Sequence, residues 1–517
     1  MDFEGFLGEI VAFINEANGE QRQDVLQNGA NKINSYFHSK LASREIFSML
    51  EEAIGDDLEL YLLVLATINF VTGNAACIDT VESLLFRPEL DLFVASNVCF
   101  QLSNIRFRNA SLKPSYVHQR LLYRFLLERY EAEYPFPVPF LPYEQRNKKR
   151  IVIETDLFIN ELHAPTHIVM ETCRMLMQDM GYEVFLLVNV EWMSYEWMEQ
   201  FWFVPYRINY RPDINGQFTI AYEGVTIQGY QIQWRREAAS EMQQLMQRLY
   251  EWKPLCVWHI GGTSFRHDYY RNLTTVLSMP CANGYCVSEA PVLVSYMQND
   301  SEELKESMAY IKEQKQKMVN IEIIYDYKEE GKNYKKSDFK IPEDAFVICI
   351  VGTRLDDEMS EEFIRMLHEL EESTDSLYYL IIGKCINKPF SLEDETKVQY
   401  LGFRTDLLDV IKVSDLFVNP PRKGGGGGAC RALSVGVPVV TLPNCDVSSL
   451  VGDAFCCQNM DEMKEEILRY QRDPDFYREM QERVKEKNEE NNAVSNLEYF
   501  KMLFQQLEKW LGAGEIR

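Results

Sequence analysis

The chain has 517 residues, a hydrophobic fraction of 46% and a formal net charge of −26. This length predicts two or three domains, and the acidic balance argues against nucleic acid or anionic membrane as a general partner. No apolar run is long enough for a membrane span, and the acidic first residues predict that there is no signal peptide. The twelve cysteines form no CxxC pair, which favours reduced thiols in a cytoplasmic protein.

Residues 1–148 are predicted to form an all-helical domain. The first segment places Phe6, Ile10 and Phe13 on one face at helical spacing, and later segments continue that pattern. No repeat of fixed period is visible, so a solenoid is not predicted. Such a domain is either a scaffold or dimerisation module, or a platform for a protein partner, and the sequence leaves both open.

A second domain is predicted over residues 149–320, after a proline-rich junction at 134–143. The apolar run 151–155 indicates a buried parallel strand, a loop follows it, and Pro165 suits the first turn of a helix. Residues 201–210 and 214–234 alternate in a strand-like manner, which predicts a β insertion. Later, Gly261, Gly262 and Thr263 follow the apolar strand PLCVWHIGG, either as part of a ligand cleft or as an ordinary tight turn.

A third domain is predicted over residues 340–517, after a polar linker. It begins with an apolar strand that ends in Gly352, Thr353 and Arg354. Further along, the run 416–418 indicates a short buried strand, and a basic pair precedes five glycines and a helical segment. The residues of this stretch that can contact an anion are Lys423, Gly424, Gly425, Gly426, Gly427 and Gly428.

This glycine stretch predicts a phosphate site at the end of a strand. Glycines let backbone N–H groups approach an anion, and the N-terminus of the following helix adds a partial positive charge. A flexible surface loop is the alternative, because glycine runs often have no other role. The strand before the glycines and the helix after them favour phosphate binding.

Residues 150–510 resemble the GT-B glycosyltransferases. The resemblance is carried by two successive strand–loop–helix domains and by the late segment DLFVNP…GGG…ALSVGVPVVTLP. More narrowly, the chain is similar to the O-GlcNAc transferase group and to bacterial cytoplasmic N-glycosyltransferases, which have an all-helical domain first. In those enzymes an H-x-x-x-H motif follows the first strand, and His163 and His167 stand at that place and spacing here.

The resemblance implies a GT-B fold, with two Rossmann-like domains facing a cleft after an all-α domain. It implies that Arg354, Lys423 and residues 424–428 hold the diphosphate of a nucleotide-sugar donor, with His163 and His167 as catalytic residues on the acceptor side. The alternative for the two histidines is a helix-capping pair without chemistry. The HExxH pattern and a third ligand are missing, so no metal and no cofactor are predicted.

Arg431 departs from the family, whose members carry an acidic residue at this position. An arginine cannot accept hydrogen bonds from ribose hydroxyls, but it can contact a donor phosphate. The function expected is transfer of a sugar, from a UDP-hexose, to a protein acceptor. The alternative is a non-catalytic GT-B subunit that binds acceptor polypeptide or an active transferase, and an epimerase is less favoured because it needs no helical platform.

Overall fold

The structure is a computed structural model. It describes residues 3–17, 23–39, 43–108, 112, 114–159, 163–190, 211, 213–233, 239–262, 265–282, 284–295, 302–321, 331–374, 376–422, 425–443, 445–491 and 495–517. Thr263, Lys423 and Gly424, which the sequence analysis singles out, lie outside these residues.

The N-terminal part of the chain is helical, as expected from its periodicity. Its helices are α1 (Phe3–Ala17), α2 (Gln23–Ser39), α3 (Ser43–Ile54), α4 (Leu58–Thr72), α5 (Ala76–Leu84), α6 (Leu92–Arg108) and α7 (Tyr116–Glu133). We call residues 3–133 the helical region.

The first α/β unit follows the proline-rich junction. It contains β1 (Asn147–Thr155), α8 (Ala164–Arg174), β2 (Glu183–Val190), β3 (Gly216–Tyr222), β4 (Val225–Gln233), α9 (Ala239–Trp252), β5 (Pro254–Gly261), α10 (Phe265–Tyr269), β6 (Thr275–Pro280), β7 (Val292–Ser295), α11 (Glu302–Glu313) and β8 (Lys317–Asn320). A π-helical turn, Met175–Asp179, extends α8.

The second α/β unit has β9 (Phe346–Gly352), α12 (Leu355–Glu358), α13 (Glu361–Ser373), β10 (Leu377–Gly383), β11 (Val398–Gly402), α14 (Leu407–Ile411), β12 (Leu416–Val418), α15 (Gly426–Ser434) and β13 (Val439–Val440). Four more helices complete the chain, namely α16 (Asp446–Val451), α17 (Met460–Arg472), α18 (Pro474–Asn491) and α19 (Asn496–Gly512).

Each unit is built on a mainly parallel sheet. In the first sheet the order is β3-β4-β2-β1-β5-β6-β7-β8, and the hairpin β3-β4 supplies the antiparallel pair at its edge. The second sheet is parallel throughout, in the order β11-β10-β9-β12-β13. In the first sheet the order reverses between β1 and β5, and in the second between β9 and β12. Ligands of such sheets bind at the carboxyl ends of the strands where the order reverses.

The first sheet is covered on both faces. Val152, Val257 and Val276 share one apolar cluster with the helical region, whereas Ile153 and Trp258, on the other face, pack with α8 and α19. Successive residues of a strand point to opposite faces, so adjacent residues of β1 contact different layers. The C-terminal helix α19 therefore packs on the first α/β unit, although it was predicted to belong to the domain 340–517.

The predicted fold class is confirmed: a mixed α/β chain of parallel sheets follows an N-terminal helical region. The predicted β insertion corresponds in part to the hairpin β3-β4, and residues 201–210 of that prediction lie outside the described residues. Among the helices that the structure describes, none is both long enough and apolar enough to cross a bilayer.

Candidate functional site

The second sheet brings two predicted donor-site segments to the point where its strand order reverses. Arg354 follows β9, and the loop that leads to α15 follows β12, the strand beside β9. The N-cap of α15 is Gly425, whose φ of 85° lies in the left-handed region that glycine adopts without strain. The amides of Gly428 and Ala429 both donate to the Gly425 carbonyl, at 3.0 and 3.2 Å.

Those two hydrogen bonds show which amides of α15 can donate to a ligand. Because the intrahelical bonds start at Gly428, the N–H groups of Gly426 and Gly427 lie ahead of the first intrahelical donor, at the open end of the helix. A helix N-terminus of this kind carries a partial positive charge, and glycine leaves its amides unshielded. The segment is therefore suited to hold an anion such as a phosphate.

The buried Arg422 side chain lies against Gly425 and supports the glycine loop. Its Nε donates to Asn419 Oδ1 at 2.8 Å, one terminal nitrogen donates to the Val351 carbonyl at 2.6 Å, and the other pairs with Glu358 at 2.6 Å. The side chain is 3% exposed. A Cβ at Gly425 would lie 2.6 Å from the Arg422 guanidinium, so this position requires glycine for space as well as for its backbone angle. Arg422 is thus a structural support and not a free cation.

Glu358 links two arginines at this site. Its Oε1 accepts from Arg354 Nε at 3.0 Å, and its Oε2 pairs with Arg422. The Arg354 side chain remains 25% exposed, against 3% for Arg422. One carboxylate between two guanidinium groups leaves one positive charge, and Arg354 is the arginine that a ligand can reach.

Arg431 lies in the last turn of α15, half-buried, and its guanidinium reaches back along the helix. It donates to the Gly427 carbonyl at 3.1 Å, because helical side chains lean toward the N-terminus. The positive charge therefore lies beside the first turn of α15, with Gly425, Gly426, Gly427 and Gly428. Arg431 adds to the attraction for an anion there and supplies no acceptor for a sugar hydroxyl.

The first sheet places a buried cluster at its own reversal point. Glu154 of β1 is directly beside His259 of β5 in the strand register. His259 Nδ1 donates to Glu154 Oε2, and His259 Nε2 lies 2.9 Å from the Gly262 carbonyl. Asn189 of β2 donates to the other Glu154 oxygen at 2.6 Å. All these side chains are buried.

Both nitrogens of His259 face acceptors, a carboxylate and a carbonyl, so the ring must carry two protons to satisfy both. The pKa of His259 agrees: burial alone would lower it, but the charge and hydrogen bond of Glu154 outweigh burial and raise the pKa to about 9. At neutral pH the reversal point of the first sheet thus contains a buried imidazolium paired with a carboxylate.

Gly261 and Gly262 leave space for a second carboxylate, that of Asp156. The Gly262 amide donates to Asp156 Oδ1 at 2.9 Å, and a Cβ at Gly262 would lie 3.0 Å from Oδ2, while a Cβ at Gly261 would clash with Oδ1. Asp156 is 5% exposed, and no group in the described part of the chain donates to its Oδ2. This pair of glycines is therefore a close-contact turn that holds the Asp156 carboxylate at the end of β1.

The ring of His267 stacks on that of His259. Their centroids are 3.8 Å apart and their planes differ by 7°, and we call these two residues the stacked histidine pair. Burial and the charge of His259 both lower the pKa of His267 well below its usual value, so His267 is neutral. Two stacked imidazolium ions would repel each other, which explains why only one of the pair is protonated.

His163 is the N-cap residue of α8, half-buried, with Nδ1 3.2 Å from Thr166 Oγ1. Burial lowers the pKa of His163 to about 4, so the ring is neutral at physiological pH. His167, one turn later, has Nδ1 3.2 Å from the Tyr222 hydroxyl of β3. The two histidines therefore have different surroundings: the hairpin holds His167, while His163 has a contact within its own helical turn.

Four residues at the two reversal points were not predicted from the sequence: Glu154, Asp156, His259 and Glu358. A signal existed for three of them, because acidic residues two apart at the end of an apolar strand, and a histidine inside another, are out of place in a buried sheet. Glu358 gave no signal, since it lies in a run of acidic residues typical of a surface. Its partner Arg422 is far away in sequence.

The described residues contain no cluster of three or more His, Cys, Asp or Glu side chains that could hold a metal ion. The polar groups at both reversal points instead pair with one another or with backbone.

Residues 331–490 match the family model described as glycosyl transferases group 1. No curated protein sequence matches the chain. Among solved structures, an O-GlcNAc transferase mutant of Thermobaculum terrenum is 14% identical, with 98% of each chain covered and a TM-score of 0.47. An α,α-trehalose-phosphate synthase (UDP-forming) of Burkholderia vietnamiensis is 10% identical, covering 70% of this chain and 100% of its own, with a TM-score of 0.47.

The family match covers the second sheet, including Arg354, the glycine loop and α15. The predicted resemblance to a GT-B glycosyltransferase is confirmed, and the match supports sugar transfer as the general activity. The roles of individual residues stay predictions.

Proposed function

We propose that the chain is a glycosyltransferase that takes a hexose from a UDP-hexose and attaches it to a protein acceptor without a metal ion. The observation that carries this proposal is the reversal point of the second sheet, within the residues that match the family. There the open amides of Gly426 and Gly427, at the start of α15, follow β12, and Arg354 follows β9, the strand beside β12. A departing diphosphate needs donors of this kind.

The donor site would use three positive features. The N-terminus of α15 would hold one phosphate, Arg354 would contact the diphosphate through its exposed part, and Arg431 would add charge beside Gly427. In the absence of a metal, these groups would carry the negative charge that develops on the leaving diphosphate. Lys423 and Gly424 belong to the same proposed site.

The acceptor would bind at the reversal point of the first sheet. Gly261, Gly262 and Thr263 are proposed to line the acceptor side, with His163 and His167 as the catalytic candidates. The low pKa of His163, about 4, keeps its ring neutral, so it can orient an acceptor group or accept a proton from it. The helical region is proposed to extend the surface for a protein acceptor or partner.

A second candidate function has one observation in its favour. Glu358 neutralises one of the two arginines at the donor site and touches the other. A chain that no longer binds a nucleotide sugar could tolerate such a carboxylate. It would then serve as a non-catalytic subunit that binds acceptor polypeptide or an active transferase.

The test is release of UDP from a series of UDP-hexoses, with an unfolded polypeptide as acceptor and intact-mass measurement of that polypeptide. The proposal predicts UDP release together with a mass increase of one hexose unit, in a buffer with a metal chelator. Polypeptide binding without turnover of any UDP-hexose would favour the non-catalytic subunit. Activity that requires an added divalent cation would contradict the metal-independent mechanism.

A further inference from the structure

The helical region reaches the reversal point of the first sheet through one tyrosine. Tyr123 of α7 donates its hydroxyl proton to Asp268 Oδ2 at 2.6 Å, and the hydroxyl oxygen of Tyr123 lies 3.4 Å from His267 Nε2. Tyr123 is 5% exposed, and Asp268 and His267 are also buried. A side chain of the helical region therefore contacts the stacked histidine pair directly.

The hydrogen bond from Tyr123 helps to stabilise the buried charge of Asp268. Its carboxylate accepts hydrogen bonds from Tyr123, from Ser288 Oγ at 2.8 Å and from the Glu289 amide. It also lies 3.5 Å from His267 Nε2. If the Tyr123 donor is removed, only Ser288 and the Glu289 amide still donate to the carboxylate, and we expect it to move toward its other polar neighbour, the His267 ring.

A displaced His267 ring would disturb His259. The two rings are 3.8 Å apart, and His259 already carries a charge because both its nitrogens face acceptors. Movement of the stacked ring would weaken the bond from His259 Nε2 to the Gly262 carbonyl. The Gly262 amide, which donates to Asp156, lies in the same residue.

We propose that Tyr123 is a positioning residue: through Asp268 and the stacked histidine pair it holds the Gly261–Gly262 turn and the Asp156 carboxylate in place. The functional part of this inference rests on the proposed transfer reaction, because that turn lines the proposed acceptor side. The helical region is thereby part of the unit that orients the acceptor, in addition to any role as a docking platform.

The α7 helix is fixed well enough to serve this purpose. Arg120, which is 0% exposed, pairs with Glu289 at 2.8 Å. Glu289 directly follows Ser288, whose hydroxyl donates to Asp268. Further along the helix, Glu131 pairs with Arg271 at 3.0 Å. Ion pairs on either side of Tyr123 hold its hydroxyl in register with Asp268.

The matched experiment compares Tyr123→Phe with Tyr61→Phe. Tyr61 is 1% exposed, and its hydroxyl donates within the helical region, to the Phe47 carbonyl at 3.2 Å. Both variants lose one buried tyrosine hydroxyl, but only Tyr123→Phe removes a donor from Asp268. Hydrogen exchange of peptides that span residues 255–270 is measured first, because this readout needs no activity.

The proposal predicts that exchange at the Gly261–Gly262 turn speeds up at least ten-fold in Tyr123→Phe and stays at the wild-type rate in Tyr61→Phe. Equal exchange in the two variants overturns it, whatever the activity of the protein. If the wild type shows no sugar transfer but the exchange difference is present, the positioning claim stands and the proposed function fails.

The second readout applies to the transfer assay. A misplaced acceptor lowers kcat, so Tyr123→Phe should lose about ten- to a hundred-fold in kcat with the KM for the UDP-hexose unchanged. A rise in the donor KM with kcat unchanged would contradict a positioning role on the acceptor side. Tyr61→Phe should match the wild type in both constants.

Discussion

The Arg422 guanidinium and the Glu358 carboxylate form an ion pair of 2.6 Å beneath the glycine loop, with side chains that are 3% and 9% exposed. Removal of Arg422 leaves Glu358 Oε2 and the Val351 carbonyl without their donors in a buried site, while Arg354 still pairs with Glu358 Oε1. We therefore expect Arg422→Met to lower the free energy of unfolding by about 3 kcal/mol, measured by urea denaturation. Arg483→Met is the control, because Arg483 is 48% exposed and pairs with Glu479 on one helix. A control that loses as much stability would contradict the supporting role of Arg422.

Gly425 is expected to tolerate no side chain. Its φ of 85° costs any other residue about 1–2 kcal/mol, and a Cβ would also contact the Arg422 guanidinium. Gly436 has a similar φ of 81° with nothing within 4 Å of a Cβ. Gly425→Ala should thus lose more stability than Gly436→Ala and also lose donor affinity, as measured by urea denaturation and UDP titration. Equal effects of the two changes would remove the close contact from the account.

The free energy of unfolding should fall both at alkaline and at acid pH. The pKa of His259 is raised to about 9, so its contribution is complete below about pH 6.5 and is lost as the pH rises toward 9. The pKa values of His163 and His267 are lowered, so their contributions are present above about pH 6.5 and are lost on acidification. The groups that face the His259 ring are Glu154, Asp156 and the neutral His267, and the two carboxylates raise its pKa.

The check is thermal unfolding between pH 5 and pH 9 for the wild type and for His259→Gln. Because glutamine does not titrate in this range, the alkaline loss of stability should be smaller in His259→Gln, while the acid side keeps its slope. An unchanged alkaline slope in that variant would show that His259 is not the imidazolium inferred from its two acceptors. If the variant does not fold, the nitrogen chemical shifts of His259 in the wild type answer the same question.

The two histidines of the H-x-x-x-H motif should differ in their effects. His163→Ala is expected to lower kcat by about a hundred-fold, within the usual range for a positioned acid–base group. His167→Phe should have a smaller effect, since the ring of His167 already contacts the Tyr222 hydroxyl and phenylalanine keeps its packing. Unchanged turnover in His163→Ala would remove this histidine from the mechanism.

The sequence was sufficient for the architecture because apolar runs and their spacing determine which segments become strands and helices. The runs at 151–155, 345–351 and 416–418 correspond to β1, β9 and β12, with Arg354 and the glycines at their carboxyl ends. Glycines after a strand signalled a close approach, and Gly262 and Gly425 have one, to Asp156 and to Arg422.

Contacts between residues that lie far apart in the chain could not be predicted from the sequence. Arg422 belongs to the basic pair before the glycines, yet it forms an ion pair with Glu358, and no local pattern connects the two residues. The stacked histidine pair likewise depends on α10 folding back over β5, and its contact with Tyr123 depends on where α7 packs. Pairing of this kind follows from tertiary packing and not from spacing.

The most direct test of the donor site is calorimetric titration of the protein with UDP and UDP-hexoses. We expect the wild type to bind at submillimolar nucleotide. Arg354→Gln should bind at least ten-fold more weakly, because charge-assisted bonds to phosphate are worth about 1.5–3 kcal/mol. Arg483→Gln should bind as the wild type does. The absence of binding by the wild type at millimolar nucleotide would contradict the account and favour the non-catalytic subunit.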